Sequence, residues 1–485
     1  SGVLIKIVTS SLSSKTFKKL IRISGPANCT RKKEDLLCYS YDATQSVYLP
    51  DAVVFPKDAK EISAILKLAN EYKFPVIPRG AGSGMTGGAL PVKQGVVLPL
   101  TRLNKIINID KDNLIVKVEP GVVTGRLHKE VEKEGLFYPP DPASHDFSTL
   151  GGNVAECSGG PRAVKYGVTR DYVLGLEVVL PTGELINTGV KTAKGVVGYD
   201  LTRLFVGSEG TLGVITGMIL RLLPLPQNVG TMIAVFAKVK RATETVSEII
   251  RKGIIPRTIE FMDNASIRCA ETYLKAGLPV DAEAILLMEV DGTKDAVDIQ
   301  AGELENICIS KGAVNVKTAG SKEEAVNFWK ARKAISPALF TYGPDKLSED
   351  IVVPRSKIPD MVEKINTIRD KTGLVMVSFG HAGDGNIHFN IIFDKNNREE
   401  LKKANKAINE VFDYTIKLGG TISGEHGVGL TKMPYIGKEL GHHEIDLMKK
   451  IKKLFDPNGI LTCSNERRAC WCLPEEKFDK HIKAG

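Results

Sequence analysis

The sequence predicts an α+β protein of at least two domains, and three observations carry that prediction. At 485 residues the chain is too long for one hydrophobic core. Helical apolar stripes and alternating strand patterns are interleaved along its length. Glycine is concentrated: 23 of the 46 glycines fall between Arg79 and Gly217, which marks a loop-rich domain whose backbone comes close to a ligand.

The elements follow in order. Eight Lys/Arg residues precede the first acidic residue, Glu34. This Ser-rich, basic head has a faint transit-peptide character. Its plainer reading is an amphipathic helix, Ser14 to Ile23, able also to rest on a membrane surface. Residues 1–50 are read as an N-terminal helical segment. Lys60 to Asn70 carries a helical stripe of Ile62, Ile65, Leu66 and Ala69. "GVVLPL" and "NLIVKVEP" read as strands, and "VTGRLHKEVEKEG" returns to helix through Val123, Leu127 and Val131. "LGLEVVLPTGELI" is two strands around a Thr-Gly turn. "PLPQN", Pro224 to Asn228, marks a boundary. Beyond it glycine thins, and helices Ala242 to Lys252, Glu323 to Leu339 and Arg398 to Leu418 alternate with strands such as "AILLMEV" and "GLVMVSF". The expected division is 51–226, 227–430 and a returning C-terminal part, 431–485.

Composition narrows the function. A net charge of +9 without a Lys/Arg block interleaved with aromatics argues against a nucleic-acid partner and suits an anionic ligand. The eight cysteines form no C-x-x-C pair, so a reducing compartment is expected. Cys463, Cys470 and Cys472 cluster near the end with a spacing that fits none of the familiar metal motifs. No apolar run is long enough to span a membrane.

Three segments are rich in Gly, Ser and Thr: "RGAGSGMTGG", "TLGGNVAECSGG" and "FVGSEGTLGVIT". The first is followed by Pro91 and a strand rather than a helix, so it is no dinucleotide fingerprint. Its glycines can still form an anion-binding nest. Together the three suit a large phosphate-bearing cofactor held mainly by backbone.

"FGHAGDGNIHFNI" holds His381 and His388. With Asp384-Gly385 as a two-residue hairpin turn, the two histidines become a directly opposed cross-strand pair that can converge on one metal ion, with Asn390 on the same face. In "ISGEHGVGL", Glu425 and His426 are adjacent and diverge along an extended strand. One can bind the ion while the other faces a substrate. Two histidines and a glutamate leave an open position, as in a catalytic metal site. The alternative is a simple turn with a surface histidine pair. On the helix "SKEEAVNFWKARKAISPALF", with core residues Phe328, Ala331, Ile335 and Leu339, Arg332 and Ser336 sit beside the buried stripe. Arg332 is either snorkelling or offered to a carboxylate. Lys346 follows in a loop.

Residues 52 to 226, through "PRGAGSGMTGGAL", "TLGGNVAECSGG", "YGVTRDYVLGLEVVLPTGE" and "LFVGSEGTLGVIT", resemble the FAD-binding domain of the vanillyl-alcohol oxidase superfamily. The resemblance implies two α+β subdomains with FAD between them. Gly80, Gly82, Ser83, Gly84 and Thr86 would then cradle the pyrophosphate. Pro140, Asp141, Thr149, Gly152, Asn153, Ser158 and Gly159 would line the flavin and ribityl. Glu209, Gly210 and Ile215 would close the adenine side. Ser83 and its neighbours offer no histidine for a covalent link, so non-covalent FAD is expected.

The second half resembles the D-2-hydroxyacid dehydrogenases of that superfamily, through H-x-x-G-D-G-N-x-H and E-H-G-x-G. The resemblance spans about residues 35 to 462. It implies an α+β substrate (cap) domain in which His381, His388 and Glu425 hold a divalent metal, usually zinc, with manganese or iron as alternatives. His426 would be the base, and Arg332, Ser336 and Lys346 would bind the substrate carboxylate; Asn390, on the histidine face of its strand, is a further expected substrate-binding residue. Where many relatives continue "FDPNGIL" with "NPGK", this chain has Thr462 to Asn465, "TCSN". The expected activity is oxidation of a small D-2-hydroxyacid, D-lactate first, with glycolate and D-2-hydroxyglutarate as alternatives. Rival readings are a non-redox flavin transferase, a flavin-free metal hydrolase and a non-catalytic subunit. The expected electron acceptor is a quinone, a cytochrome or an electron-transfer flavoprotein, and a homodimer is compatible. The expected location is cytoplasmic or peripheral at a membrane, or the mitochondrial matrix in a eukaryote.

Overall fold

A computed structural model describes residues 12–461. Thr462 to Asn465, Cys470 and Cys472 lie outside the described residues. The first half of the chain builds two main sheets and a small two-stranded one, Leu136–Phe137 with Leu223–Pro224. One main sheet places Cys29–Thr30, Ala52–Val54, Val96–Pro99 and Val76–Arg79 side by side, the last three parallel. Helix Ala59–Tyr72 covers it by burying Ile62, Ile65, Leu66 and Ala69. That helix starts where the Asp58 carboxylate accepts the Glu61 N–H at 2.9 Å. The basic helix Ser14–Ser24 packs on Ala59–Tyr72 and buries Leu20 in the same core, so its main apolar anchor is spent inside the protein.

The second sheet is antiparallel, in the order Ile106–Asp110, Ile115–Val118, Val214–Arg221, Val173–Val179, Leu185–Gly189. Its last two strands are the Thr-Gly hairpin, with Val179 opposite Leu185. Leu127 and Val131 of helix Thr124–Lys133 join its core. No helix separates the first glycine loop from strand Val96–Pro99, as the sequence requires.

From Asn228 the chain builds a seven-stranded antiparallel sheet: Ala313–Thr318, Asn228–Phe236, Ala284–Gly292, Thr258–Asp263, Val375–His381, Asn386–Phe393, Asp345–Val352. Helices Val239–Arg251, Lys294–Ser310, Ile358–Thr372 and Arg398–Lys417 bury one face. Helices Asn264–Leu274 and Lys322–Ala338 cover part of the other. The remainder of that second face looks toward the first half of the chain. The final helix, His442–Phe455, returns there: Phe455 meets Phe205 edge-on at 5.6 Å, and Leu461 bridges to Val76.

Three local expectations need correction. The hairpin turn is four residues long, not two, so His388 lies opposite Phe379 rather than His381. The slip is an even number, so both histidines keep the same face. Lys346 belongs to strand Asp345–Val352, opposite Ile392, not to a loop. Glu425 and His426 sit in an irregular segment, not on an extended strand. Freed from strand alternation, their side chains turn into one cleft instead of diverging.

Candidate active site where the two halves meet

A cleft between the two main sheets of the first half is floored by backbone. Gly80, Gly82, Ser83 and Gly84 line one wall, Thr149, Gly152, Asn153 and Ser158 another, and Glu209, Gly210 and Ile215 a third. The glycines have steric reasons. Gly82 holds φ +71°, and a Cβ there would strike the Arg79 guanidinium. A Cβ on Gly80 would meet the Thr149 hydroxyl at 2.5 Å. Two buried polar atoms on this wall, Thr149 Oγ1 and Glu156 Oε2, have no hydrogen-bond partner among the described residues. A glycine-walled cradle with orphaned polar atoms fits a bound FAD, whose polar edge would satisfy them. Burial, with Glu209 alongside, pushes the Glu156 carboxyl well above the usual range.

Four of the expected FAD residues stand differently. Thr86 is buried and turned to the seam: its hydroxyl donates to the His426 carbonyl at 3.1 Å, and its own carbonyl accepts the Leu430 N–H. The Pro140 carbonyl is taken by His128 Nε2 at 2.9 Å. Asp141 pairs with Arg162 at 3.1 Å. Gly159 lies under Glu425, where a Cβ would come within 2.7 Å of Oε2. Glu209 lines the cleft, but its carboxylate already accepts the N–H groups of Val428 and Gly429, both at 2.8 Å.

At the mouth of the cleft stand Glu425 and His426. His381 Nε2 lies 3.3 Å from His388 Nε2 and 3.3 Å from Glu425 Oε1, and His388 Nε2 lies 3.4 Å from the same oxygen. Ligands on a tetrahedral zinc ion at about 2.0–2.1 Å stand roughly 3.3–3.4 Å apart. The triangle therefore has the edges of one face of such a tetrahedron, and its donor set suits zinc. Burial, then the neighbouring His381 and His426, push His388 well below the ordinary histidine range, which keeps it neutral. For His381 burial works the other way from its carboxylates, and Glu260 and Glu425 win, raising its pKa well above normal.

One sheet face presents the surrounding groups. Cross-strand pairs on it are Glu260 with His381, Asp350 with His388, and Ser348 with Asn390. The Asn390 carbonyl oxygen accepts from Ser348 at 2.7 Å, leaving a buried Nδ2 without a partner among the described residues. Arg332 lies over the Phe379 ring at 4.6 Å, with Nε 2.7 Å from Glu260. It is paired and stacked, not merely snorkelling. Lys346 Nζ sits 4.9 Å over Phe340, and burial lowers its pKa. Ser336 is exposed.

Sequence reasoning missed Glu260 and Asp350, both fully buried. Asp350 accepts the backbone N–H groups of Gly424, Glu425 and His426 at 2.7, 3.0 and 2.7 Å. Burial opposes its charge, but Lys432, His426 and His388 outweigh that and hold its pKa below the usual range. His426 stacks on His388 with centroids 5.2 Å apart and Nδ1 3.6 Å from Asp350. A carboxylate between Ile259 and Phe261 in "TIEFMD", or directly before the apolar run of "SEDIVV", is the available signal.

Residues 50–189 match the family described as FAD binding domain, and 225–464 match FAD linked oxidases, C-terminal domain. The chain is 47% identical over 445 residues to glycolate oxidase subunit GlcD of Bacillus subtilis, covering 92% of this chain and 95% of that one. It is 36% identical to a D-lactate dehydrogenase of Archaeoglobus fulgidus, covering 87% and 94%. Among solved structures, p-cresol methylhydroxylase superposes with TM-score 0.77 at 21% identity, covering 95% and 98%, a likeness of fold.

Proposed function

This chain belongs to the FAD-linked oxidases as an FAD-dependent 2-hydroxyacid dehydrogenase, and from that premise we propose that it oxidises a short 2-hydroxyacid, D-lactate or glycolate, at a divalent-metal centre. The observation that carries this is the tetrahedral-edge triangle of His381, His388 and Glu425 at the mouth of the glycine-walled cleft. When bound, non-covalent FAD supplies the two-electron acceptor, and zinc supplies a Lewis acid that lowers the pKa of an alcohol.

The chain's own residues do the rest. Arg332 binds the substrate carboxylate through its planar fork, with Lys346 adding charge. Asn390, through its unpartnered Nδ2, donates to the substrate. His426, set beside Asp350, takes the hydroxyl proton. Asp350 holds the backbone of Glu425 and His426 from the cap side, while Thr86 holds His426 from the other. Ser336, on the helix turn after Arg332, is exposed and completes the proposed substrate-binding set. The working division is 51–226 for FAD, 227–430 for substrate and metal, and 431–485 for the returning part. Re-oxidation falls to a quinone, a cytochrome or an electron-transfer flavoprotein. No described helix is long and apolar enough to cross a membrane.

D-lactate is favoured by the absence of a plain second-carboxylate site in the sequence. Glycolate is favoured by the 47% identity to a glycolate oxidase subunit. Anaerobic titration with D-lactate, L-lactate, glycolate and D-2-hydroxyglutarate, watching the visible flavin band, tests the proposal. Bleaching by D-lactate or glycolate is expected. A flavin that neither of these two acids bleaches overturns it.

A further inference from the structure

We propose that Glu260 is a positioning residue that ties the metal ligand His381 and the carboxylate clamp Arg332 to one rigid point, so that both grips on the substrate are set together. The inference rests on the metal site and clamp proposed above. Glu260 has no solvent exposure. Its Oε1 lies 2.6 Å from His381 Nδ1, and its Oε2 lies 2.7 Å from Arg332 Nε. One carboxylate thus meets both partners, His381 through a hydrogen bond and Arg332 through an ion pair.

The strand register makes this geometry. Glu260 stands directly opposite His381 on the neighbouring strand Thr258–Asp263. Arg332 reaches the same spot from helix Lys322–Ala338 and is pressed flat on Phe379. Accepting from His381 Nδ1 fixes the imidazole tautomer and turns Nε2 toward His388 and Glu425. Holding Arg332 by Nε leaves Nη1 and Nη2 as the parallel pair offered to a carboxylate. In a 2-hydroxyacid the hydroxyl and the carboxylate sit on adjacent carbons, so a fixed spacing between metal and clamp is what such a substrate requires.

The test uses full-length, FAD-loaded protein and two readouts. One is zinc affinity, measured by competition with a chromophoric chelator. The other is KM and kcat for D-lactate and glycolate. Glu260→Ala is expected to weaken zinc binding by about 10–100-fold and to raise KM about tenfold or more. Arg332→Ala is expected to raise KM while leaving zinc affinity within about threefold. Adding Arg332→Ala to Glu260→Ala is expected to raise KM by less than about threefold further, the non-additivity of residues acting as one unit. A general loss of fold would lower zinc affinity in every variant and would not give this asymmetry. If Glu260→Ala does not fold, Glu260→Gln decides: an amide can satisfy His381 or Arg332 but not both, so zinc affinity or KM must shift at least about tenfold. Wild-type zinc affinity and KM in whichever folded variant is measured overturn the inference. A wild-type protein that binds neither zinc, manganese nor iron overturns the functional proposal itself, which separates the two failures.

Discussion

The two halves of the molecule make their sites in opposite ways. The first half builds with backbone: Gly80, Gly82, Gly84 and Gly152 bring main chain to the surface of the cleft. The second half builds with side chains raised on one face of a pleated sheet, where Glu260, His381, His388, Asn390 and Asp350 stand in register. The difference teaches where each half is vulnerable. A backbone cradle fails when an atom is added. A side-chain constellation fails when one is taken away.

The predictions break or sharpen that contrast, from the largest effect down. Dialysis against a strong chelator should cut activity about a thousandfold or more, the loss of several kcal/mol of charge stabilisation. The visible flavin band should persist, and added zinc should restore turnover. Chelation that also strips the flavin would show the two sites are not separately built. His426→Ala should slow flavin reduction by about 10²–10⁴-fold in rapid-mixing experiments, with zinc and FAD content unchanged. Gly82→Ala should leave zinc binding intact but weaken FAD retention by about 5–30-fold, for about 1–2 kcal/mol of left-handed strain plus the clash with Arg79. Spectral titration of the apoprotein with FAD measures it.

A last effect, on stability rather than on activity or cofactor binding, lies on the helix-covered face of the same sheet. Glu349, opposite Phe389, is buried and its carboxyl is raised to about 7. Burial is the main cause. Its ordinary value is 4.5, so between pH about 4.5 and 7 the unfolded chain loses this proton before the folded one. Stability therefore falls as pH rises through that window. Glu349→Gln should raise the melting temperature by several degrees at pH 8, worth on the order of 3 kcal/mol, and by almost nothing at pH 4.5. Scanning calorimetry at the two values checks it.

The sequence showed the elements well where periodicity is strong. Ile62, Ile65, Leu66 and Ala69 gave helix Ala59–Tyr72, and the Thr-Gly turn gave the hairpin Val173–Gly189. It showed the two histidines on one face, because a strand's parity survives an even slip, but not their register, because Ala382–Gly385 closes as four residues. Lys346 looked like loop because Gly343 and Pro344 precede it, yet pairing with strand Asn386–Phe393 carries the ladder to Asp345. Glu260 and Asp350 stayed hidden because their partners come from 72 or more residues away along the chain: Glu260 meets Arg332 and His381, and Asp350 meets Gly424 to His426. No local pattern encodes such a meeting.

The segment carrying Glu425 and His426 is fastened from both sides, by one set of amides to Asp350 and another to Glu209, and by the His426 carbonyl to the Thr86 hydroxyl. That fastening works as an interlock. If the halves came apart, His426 would lose half its moorings, and on the proposed mechanism an acid held by the cap alone would meet an unassembled centre and leave unchanged.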